Sequence, residues 1–382
     1  MENLLIAVIA GLLILLASVA SVELGISVAL IEISLGVIAG NFLGLSSPPW
    51  MDFLASFGSI FLTFLAGAEV DPRAMQETLK ESVLIGGVSF AAPFLGAWLF
   101  CAWVLGWSTS SAQIAGVALS TTSLAVVYTV LVETGLTLTP LGKLIMASTF
   151  VTDFGTALAL ALLFVRPTWW LVPFLGVSVL VIWAMVALQP WFFSRYGARV
   201  IEPEIKGAVA ALLVLMFFAE KAQSHAVLPA FVLGLALARI FHEHPELTRR
   251  FRVVAFALLT PFFFLKGGMN VSLALVWANF GLLASLFGVK QVTKILGVYP
   301  LARRWVPRDA MFTTLLMSTG LTFGTISSLY GLNAAILDRA QFSVLVTTVV
   351  ASAIIPTIVA QRWFSPRTAL EAARGRAAAA PK

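Results

Sequence analysis

The sequence predicts an all-α polytopic membrane protein, on three observations. Of its 382 residues 60% are apolar and only 11% are charged, against about 45–50% and about 25% in soluble domains. The mean hydropathy of +0.98 implies more apolar surface than a soluble fold of this length can bury. The apolar residues also fall in continuous Phe-rich blocks of about 20 residues, the length that crosses about 30 Å of hydrocarbon. The alternating strands of an outer-membrane barrel would read differently.

Thirteen such blocks are predicted as spans. The first six run over 4–21, 23–45, 50–69, 83–107, 110–133 and 141–164. A seventh covers 169–190, and the last six cover 205–222, 226–241, 254–275, 278–300, 309–332 and 341–363. Met1-Glu2-Asn3 offers no basic n-region, so span 1 reads as retained and not as a cleaved signal. In span 2, Gly36, Gly40 and Gly44 form a small-xxx-small strip suited to close helix packing or a dimer face. Glu69 and Asp71 end span 3 at Pro72. Glu23 and Glu32 read as a helix start and a packed interface, and Glu220, Lys221 and His225 as local pairing at a helix end.

Charge sets the orientation. Most of the 24 lysines and arginines lie in alternate loops and the tail, at Arg73, Lys80, Lys143, Arg195, Arg199, Lys206, Arg239, Arg249, Arg250, Arg252, Arg303, Arg304 and Arg308. The opposite side has Arg166 and Arg339, with Lys221 and Lys266 at helix ends. The positive-inside rule then places the N-terminus outside and the C-terminus in the cytoplasm, in an inner (plasma) membrane. The net charge of +6 therefore gives no reason to expect nucleic acid. The lone Cys101 excludes a disulfide framework, a thiolate zinc site and an iron–sulfur cluster. Three histidines, two of them (His242, His244) in a charged loop, leave little for a catalytic metal. No resident cofactor is expected.

The spans divide as six, one and six. A single linker, span 7, inverts the second six relative to the first. Inverted repeats of this kind mark secondary transporters, whose sites lie near the midplane on interrupted helices. Span 5 then corresponds to span 12, and both break their apolar run with hydroxyls. Span 5 has Ser120-Thr121-Thr122-Ser123; span 12 has Ser318-Thr319-Gly320, Thr322 and Gly324-Thr325. Hydroxyls and glycine resatisfy the backbone groups that a broken helix frees. Crossed discontinuous helices 5 and 12 are therefore expected, with Thr319, Gly320 and Thr322 at the crossing.

Ionisable groups at bilayer depth cost at least roughly 2.5–3.5 kcal/mol and need a reason. Asp153 stands mid-span in span 6 with no local basic partner. A buried carboxyl group trades a proton for a cation, which makes Asp153 the candidate ion and proton site. Thr149, at i−4, shares its face; Thr152 is adjacent but turns elsewhere. Lys290 and Lys294 share one face of span 11, where a lysine neutralises the carbonyl ends of broken helices. Lys294 is favoured over Lys290, because two buried lysines on one face repel.

With these residues in place, the sequence resembles the cation:proton antiporters of the Kef-type and NapA-type branch over roughly residues 20–360. The matching stretches are Phe64-Leu-Ala-Gly-Ala-Glu-Val-Asp-Pro72, Ala118-Leu-Ser-Thr-Thr122, the Asp153 helix and His225-Ala-Val-Leu-Pro-Ala-Phe-Val-Leu-Gly-Leu235. Pro261-Phe-Phe-Phe264, Gly268-Met269 and Lys294-Ile-Leu-Gly-Val-Tyr-Pro-Leu-Ala-Arg303 complete the set. Their order and spacing carry the likeness more than any one of them.

The resemblance implies a sodium/proton exchanger fold over 1–364 that acts as a homodimer. A core domain of spans 4–6 and 11–13 would move past a dimerisation domain of spans 1–3 and 8–10. It also implies Na⁺ at Asp153 near the crossing, with Thr121, Thr122, Thr149 and Thr152 as neighbouring oxygens. Residues 365–382 are expected as a short disordered basic tail, without the nucleotide-binding domain of Kef-type systems.

The expected activity is exchange of Na⁺, or Li⁺, for H⁺ across the bilayer; K⁺/H⁺ exchange fits the motifs equally. Where electrogenic members carry Asp-Asp and Kef-type members tend to Gln-Asp, this chain has Thr152-Asp153, so one carboxylate is available. A cation channel would need a pore-loop filter or an acidic ring. An intramembrane hydrolase would need a nucleophile with its base. Neither pattern is present in the sequence, and no enzyme activity is expected.

Overall fold

The computed structural model describes residues 2–366 apart from 25–26, 138, 165–167, 197–198 and 200. Arg166 and the tail beyond 366 lie outside the described residues. Secondary structure among the described residues is helical. The first helices are α1 (Glu2–Leu24), α2 (Val28–Phe42), α3 (Pro49–Ala68), α4 (Pro72–Glu77) and α5 (Leu79–Leu99), which runs into a π-helical turn at Phe100–Val104. Next come α6 (Thr109–Ser120), α7 (Leu124–Glu133), α8 (Pro140–Leu163), α9 (Leu171–Tyr196), α10 (Pro203–Lys221) and α11 (Val227–Glu243). Then follow α12 (Pro245–Val254), a π-helical turn at Ala255–Leu259, α13 (Thr260–Met269) and α14 (Leu273–Ala278). The last are α15 (Phe280–Trp305), α16 (Ala310–Met317), α17 (Thr322–Asn333) and α18 (Arg339–Trp363).

Nine helical runs among the described residues are long and apolar enough to cross a membrane. Each of the thirteen apolar blocks meets helical structure. Block 10 is displaced: its helix starts at Pro245, ends at Met269, and is followed by the separate α14. The cause is α12, which is amphipathic, burying Leu247 and Phe251 while Arg249, Arg250 and Arg252 dilute its hydropathy. Proline opens α3, α8, α10 and α12, where its missing N–H costs nothing. Asp338 and Gln341 form a capping box on α18, at 2.8 and 3.1 Å.

Two compact units divide the chain. One comprises Met1–Ser46, Arg73–Thr156 and Phe264–Lys382; the other comprises Ser47–Pro72 and Ala157–Phe263. The first unit thus holds spans 1, 2, 4, 5 and 11–13, most of span 6 and the end of span 10.

In the first unit, α5 packs on α6 and α15, and α18 lies against α15, α16 and α17. Ile85, Val127, Leu131, Ile145, Val298 and Phe312 form its buried core. The glycine strip of α2 works within the chain. A Cβ on Gly36 would strike the Leu265 carbonyl and lie 3.0 Å from Gly268 Cα, and one on Gly40 would lie 2.9 Å from Met269 Cα. Gly44 does not share that contact. It follows the end of α2 with φ +62° and open space around it, so it serves chain reversal, not packing.

In the second unit, α3 and α11 meet backbone to backbone. Gly67 faces the Phe231 carbonyl and Gly234 faces the Phe64 carbonyl. Phe64, Phe241 and Phe251 meet edge-to-face or tilted beside that contact, with centroids 5.0–5.8 Å apart. Arg252 Nε donates to Glu69 Oε1 at 2.7 Å, and His242 Nε2 lies 3.0 Å from the Val70 carbonyl oxygen.

Candidate ion-binding site

The site residues all belong to the first unit, and two chain breaks organise them. Between α6 and α7 the chain leaves the helix at Thr121, which adopts extended torsions (φ −65°, ψ 155°). Between α16 and α17 it leaves after Met317 and restarts at Thr322, with Leu321 at φ −149°, ψ −72°. Hydroxyls cause and stabilise both breaks by competing for backbone groups. Ser120 Oγ donates to the Val117 carbonyl at 2.8 Å, and Thr319 Oγ1 to that of Leu316 at 2.7 Å.

The breaks are tied to each other. Thr122 Oγ1 donates to the Met317 carbonyl at 2.9 Å, and the Ser123 N–H donates to Thr319 Oγ1 at 3.3 Å. The expected meeting of spans 5 and 12 at their hydroxyl clusters is therefore present in the geometry.

Lys294 is fully buried on α15. Its ammonium donates to Thr122 Oγ1 at 3.1 Å and to Ser89 Oγ on α5 at 2.7 Å. Through Thr122 it reaches the carbonyl end of α16, where a positive charge is favourable. Lys290, equally buried, goes elsewhere. Its Nζ lies against Gly320 beside Thr121 Oγ1 and Ser352 Oγ, so a Cβ on Gly320 would strike Nζ and come within 2.8 Å of Thr121 Oγ1. Lys290 Nζ finds no hydrogen-bond partner. The two lysines thus meet the breaks differently: Lys294 is hydrogen-bonded to Thr122, whereas Lys290 lies against Gly320 without a hydrogen bond.

Asp153, on α8, is 2% exposed, and its Oδ1 has no hydrogen-bond partner. It makes no ion pair with Lys294. The ion pairs among the described residues lie elsewhere, as at Lys143–Glu77 (3.7 Å) and Arg250–Glu202 (3.2 Å). Thr149, one turn before Asp153, donates to the Ile145 carbonyl at 2.9 Å and sits 3.7 Å from Met317 Sδ at the end of α16. Thr152 points away. Its hydroxyl bonds the Gly86 carbonyl of α5 at 3.2 Å and the Ser148 carbonyl at 3.0 Å. Thr322 opens α17, half-buried.

The geometry therefore brings together Lys294, Thr122, Thr319 and Thr149 around the end of α16. It places Thr121, Gly320 and Lys290 in a second cluster and Thr152 at the α5 contact. Ser89 was not legible beforehand. It is one serine among many in the apolar blocks, and only the packing of α5 on α15 reveals its part.

Comparison with known proteins agrees with this architecture. The family described as sodium/hydrogen exchanger, transmembrane, matches residues 5–365. Cation/H(+) antiporter 18 of Arabidopsis thaliana is 27% identical over 83% of this chain and 42% of its own length. Probable Na(+)/H(+) antiporter 3 of Methanocaldococcus jannaschii is 26% identical over 63% of this chain and 66% of its own. The chain thus spans less than two thirds of these curated relatives. Na(+)/H(+) antiporter NhaS4 of Synechocystis is 26% identical over 86% of this chain and 90% of its own. Among solved structures, the sodium proton antiporter MjNhaP1 of Methanocaldococcus jannaschii shares the fold, with a TM-score of 0.71 at 14% identity over 97% of this chain and 99% of that one. With helices long and apolar enough to cross a membrane, two interrupted spans tied through their hydroxyls, and a family match from residue 5 to residue 365, this chain belongs to the sodium/hydrogen exchanger family.

Proposed function

We propose that the protein is a secondary active transporter that exchanges Na⁺, or Li⁺, for H⁺, with both ions competing for Asp153. The observation that carries this reading is the unpartnered Oδ1 of a fully enclosed carboxyl group. A bare carboxylate so placed is costly, so the group holds either a proton or a cation. Competition for one site couples the two fluxes without further machinery. Thr149 supplies a further oxygen on the same helix face, and Thr121 and Thr122 bring hydroxyls from the neighbouring break. Thr122 is already engaged by Lys294 and Met317, and Thr152 by α5, so these two hold the site's shape.

The six-one-six pattern and the paired breaks support an inverted-repeat carrier working by alternating access. The family likeness supports a homodimer with a mobile core and a fixed partner domain. The distribution of basic residues supports a plasma-membrane protein with its N-terminus outside. The relatives named as Na(+)/H(+) antiporters support Na⁺ as the cargo. A yeast relative, K(+)/H(+) antiporter 1, is 25% identical over 83% of this chain and keeps K⁺ as the second reading.

Flux in proteoliposomes tests the proposal. An imposed pH gradient should dissipate on adding Na⁺ or Li⁺ and resist K⁺. Dissipation by K⁺ alone would select the second reading. Cation current that needs no proton gradient, or no coupled flux with any of the three ions, would overturn the exchange mechanism.

A further inference from the structure

Buried hydroxyls inside the helices of the first unit commonly donate to the carbonyl one turn back. Ser148, Thr149, Thr314 and Ser318 do so at 2.7–2.9 Å. Thr313 of α16 does not. It is fully buried, and its Oγ1 has no hydrogen-bond partner. The carbonyl one turn back belongs to Asp309, and it accepts the Thr313 N–H at 2.9 Å, not the hydroxyl. An enclosed hydroxyl left so is unfavourable, and valine has the same shape without that cost. Folding alone therefore gives no reason for a threonine here.

Its place along α16 supplies one. Asp309, Thr313 and Met317 follow one another at intervals of one turn, along one side of the helix. Met317 ends the series beside the ion site. Its Sδ lies 3.7 Å from Thr149 Oγ1, and Asp153 stands one turn beyond Thr149 on α8. Asp309 begins the series, half-buried, with a carboxylate that caps no N–H of α16. Leu144 and Ile145 of α8 share a buried core with Phe312 and Leu316 of α16, so the ground between Asp309 and Thr149 is otherwise apolar. A cation crossing it needs an oxygen that binds well enough to admit it and weakly enough to release it. A neutral hydroxyl meets both conditions, whereas another carboxylate would hold the ion.

We propose that the Thr313 hydroxyl is a transient ligand for the exchanged monovalent cation, engaged as the ion passes between the Asp309 end of α16 and Asp153. The inference rests on the exchange reading given above and adds the route on one side of the site. That side is the one on which Arg303, Arg304 and Arg308 stand.

Na⁺-dependent proton flux tests this, measured for the full-length protein in everted and in right-side-out membrane vesicles from cells lacking other exchangers. Thr313→Val should lower kcat/KM about fivefold for Na⁺ offered from the side of Arg308, the effect of losing one neutral hydrogen-bonding group. For Na⁺ offered from the opposite side kcat/KM should be unchanged. Thr313→Ser keeps the hydroxyl and should match the unaltered protein. Thr314→Val removes a hydroxyl already engaged by the Ala310 carbonyl and should alter neither side. The melting temperature of Thr313→Val should hold or rise, because an unsatisfied group is removed. A lowered melting temperature would assign the hydroxyl to the scaffold and overturn the proposal. Unchanged kcat/KM from both sides in Thr313→Val, or equal losses from both, would overturn it as well. In those cases the exchange reading stands, since the unaltered protein still couples the two ions. Absence of coupled flux in the unaltered protein would overturn that reading, and this inference with it.

Discussion

Lys294 and Thr122 are joined at 3.1 Å, and the same threonine hydroxyl holds the Met317 carbonyl at 2.9 Å. One side chain thus fastens a buried ammonium to the break in one helix and to the carbonyl end of another. Lys294 is therefore part of the scaffold that fixes the broken helices.

Lys294→Ala removes two hydrogen bonds from a charged donor and leaves a void among fully buried groups. We expect a loss of about 2–4 kcal/mol of stability, read as a lowered melting temperature, together with weakened exchange. Lys290→Ala removes an ammonium that makes no hydrogen bond and should destabilise less. A larger drop for Lys290→Ala in both melting and flux would reverse the assignment.

Ser89→Ala isolates one of those bonds. It takes away the acceptor at 2.7 Å while leaving Thr122 in place, so it should cost about 1–2 kcal/mol. In a Lys294→Ala background the same substitution should cost almost nothing. Additive losses in the double variant would show that Ser89 acts through something other than Lys294.

Two glycines give a contrast. On Gly36 a Cβ meets the backbone of Leu265 and Gly268, whereas on Gly320 it meets the end of the Lys290 side chain. Gly36→Ala should destabilise by roughly 1–3 kcal/mol with no rescue from any side-chain truncation. Gly320→Ala should impair transport and be partly rescued by Lys290→Ala. Absence of that rescue would mean that Thr121 or Ser352, the other neighbours of Gly320, sets the constraint.

The charge moved per cycle follows from the single carboxylate at position 153. Loading one H⁺ or one Na⁺ leaves the carrier in the same charge state, so a one-for-one exchange is electroneutral. Na⁺ jumps on a solid-supported membrane should then give no transient current that scales with turnover. A current that does scale, and that collapses in Asp153→Asn, would mean a second proton moves with each cycle.

Much of this was legible in the sequence, and the physical reasons differ by residue. The spans follow from hydrophobic length. The breaks at Thr121–Ser123 and Ser318–Leu321 follow from hydroxyl clusters that compete with helical hydrogen bonds, and Asp153 follows from the cost of a charge at depth. Beyond the meeting of spans 5 and 12, what sequence could not supply was which side chains meet between helices. Thr152 belongs to the α5 contact because Gly86 allows α8 to approach there. Ser89 receives Lys294 for a similar reason of packing. The separate destination of Lys290 depends on how α15 is rotated against α16 and α18, which the i and i+4 spacing does not fix. Helix α12 escaped detection because Arg249, Arg250 and Arg252 interrupt its apolar residues.

The most direct test of the account is Na⁺-driven proton flux through Asp153→Asn in proteoliposomes. The substitution keeps the shape of the side chain and removes the charge that a proton or a cation neutralises. The account predicts that the variant folds, retains its melting behaviour and dissipates a pH gradient no faster than protein-free liposomes. Substantial Na⁺-dependent dissipation by the folded variant would contradict exchange at Asp153.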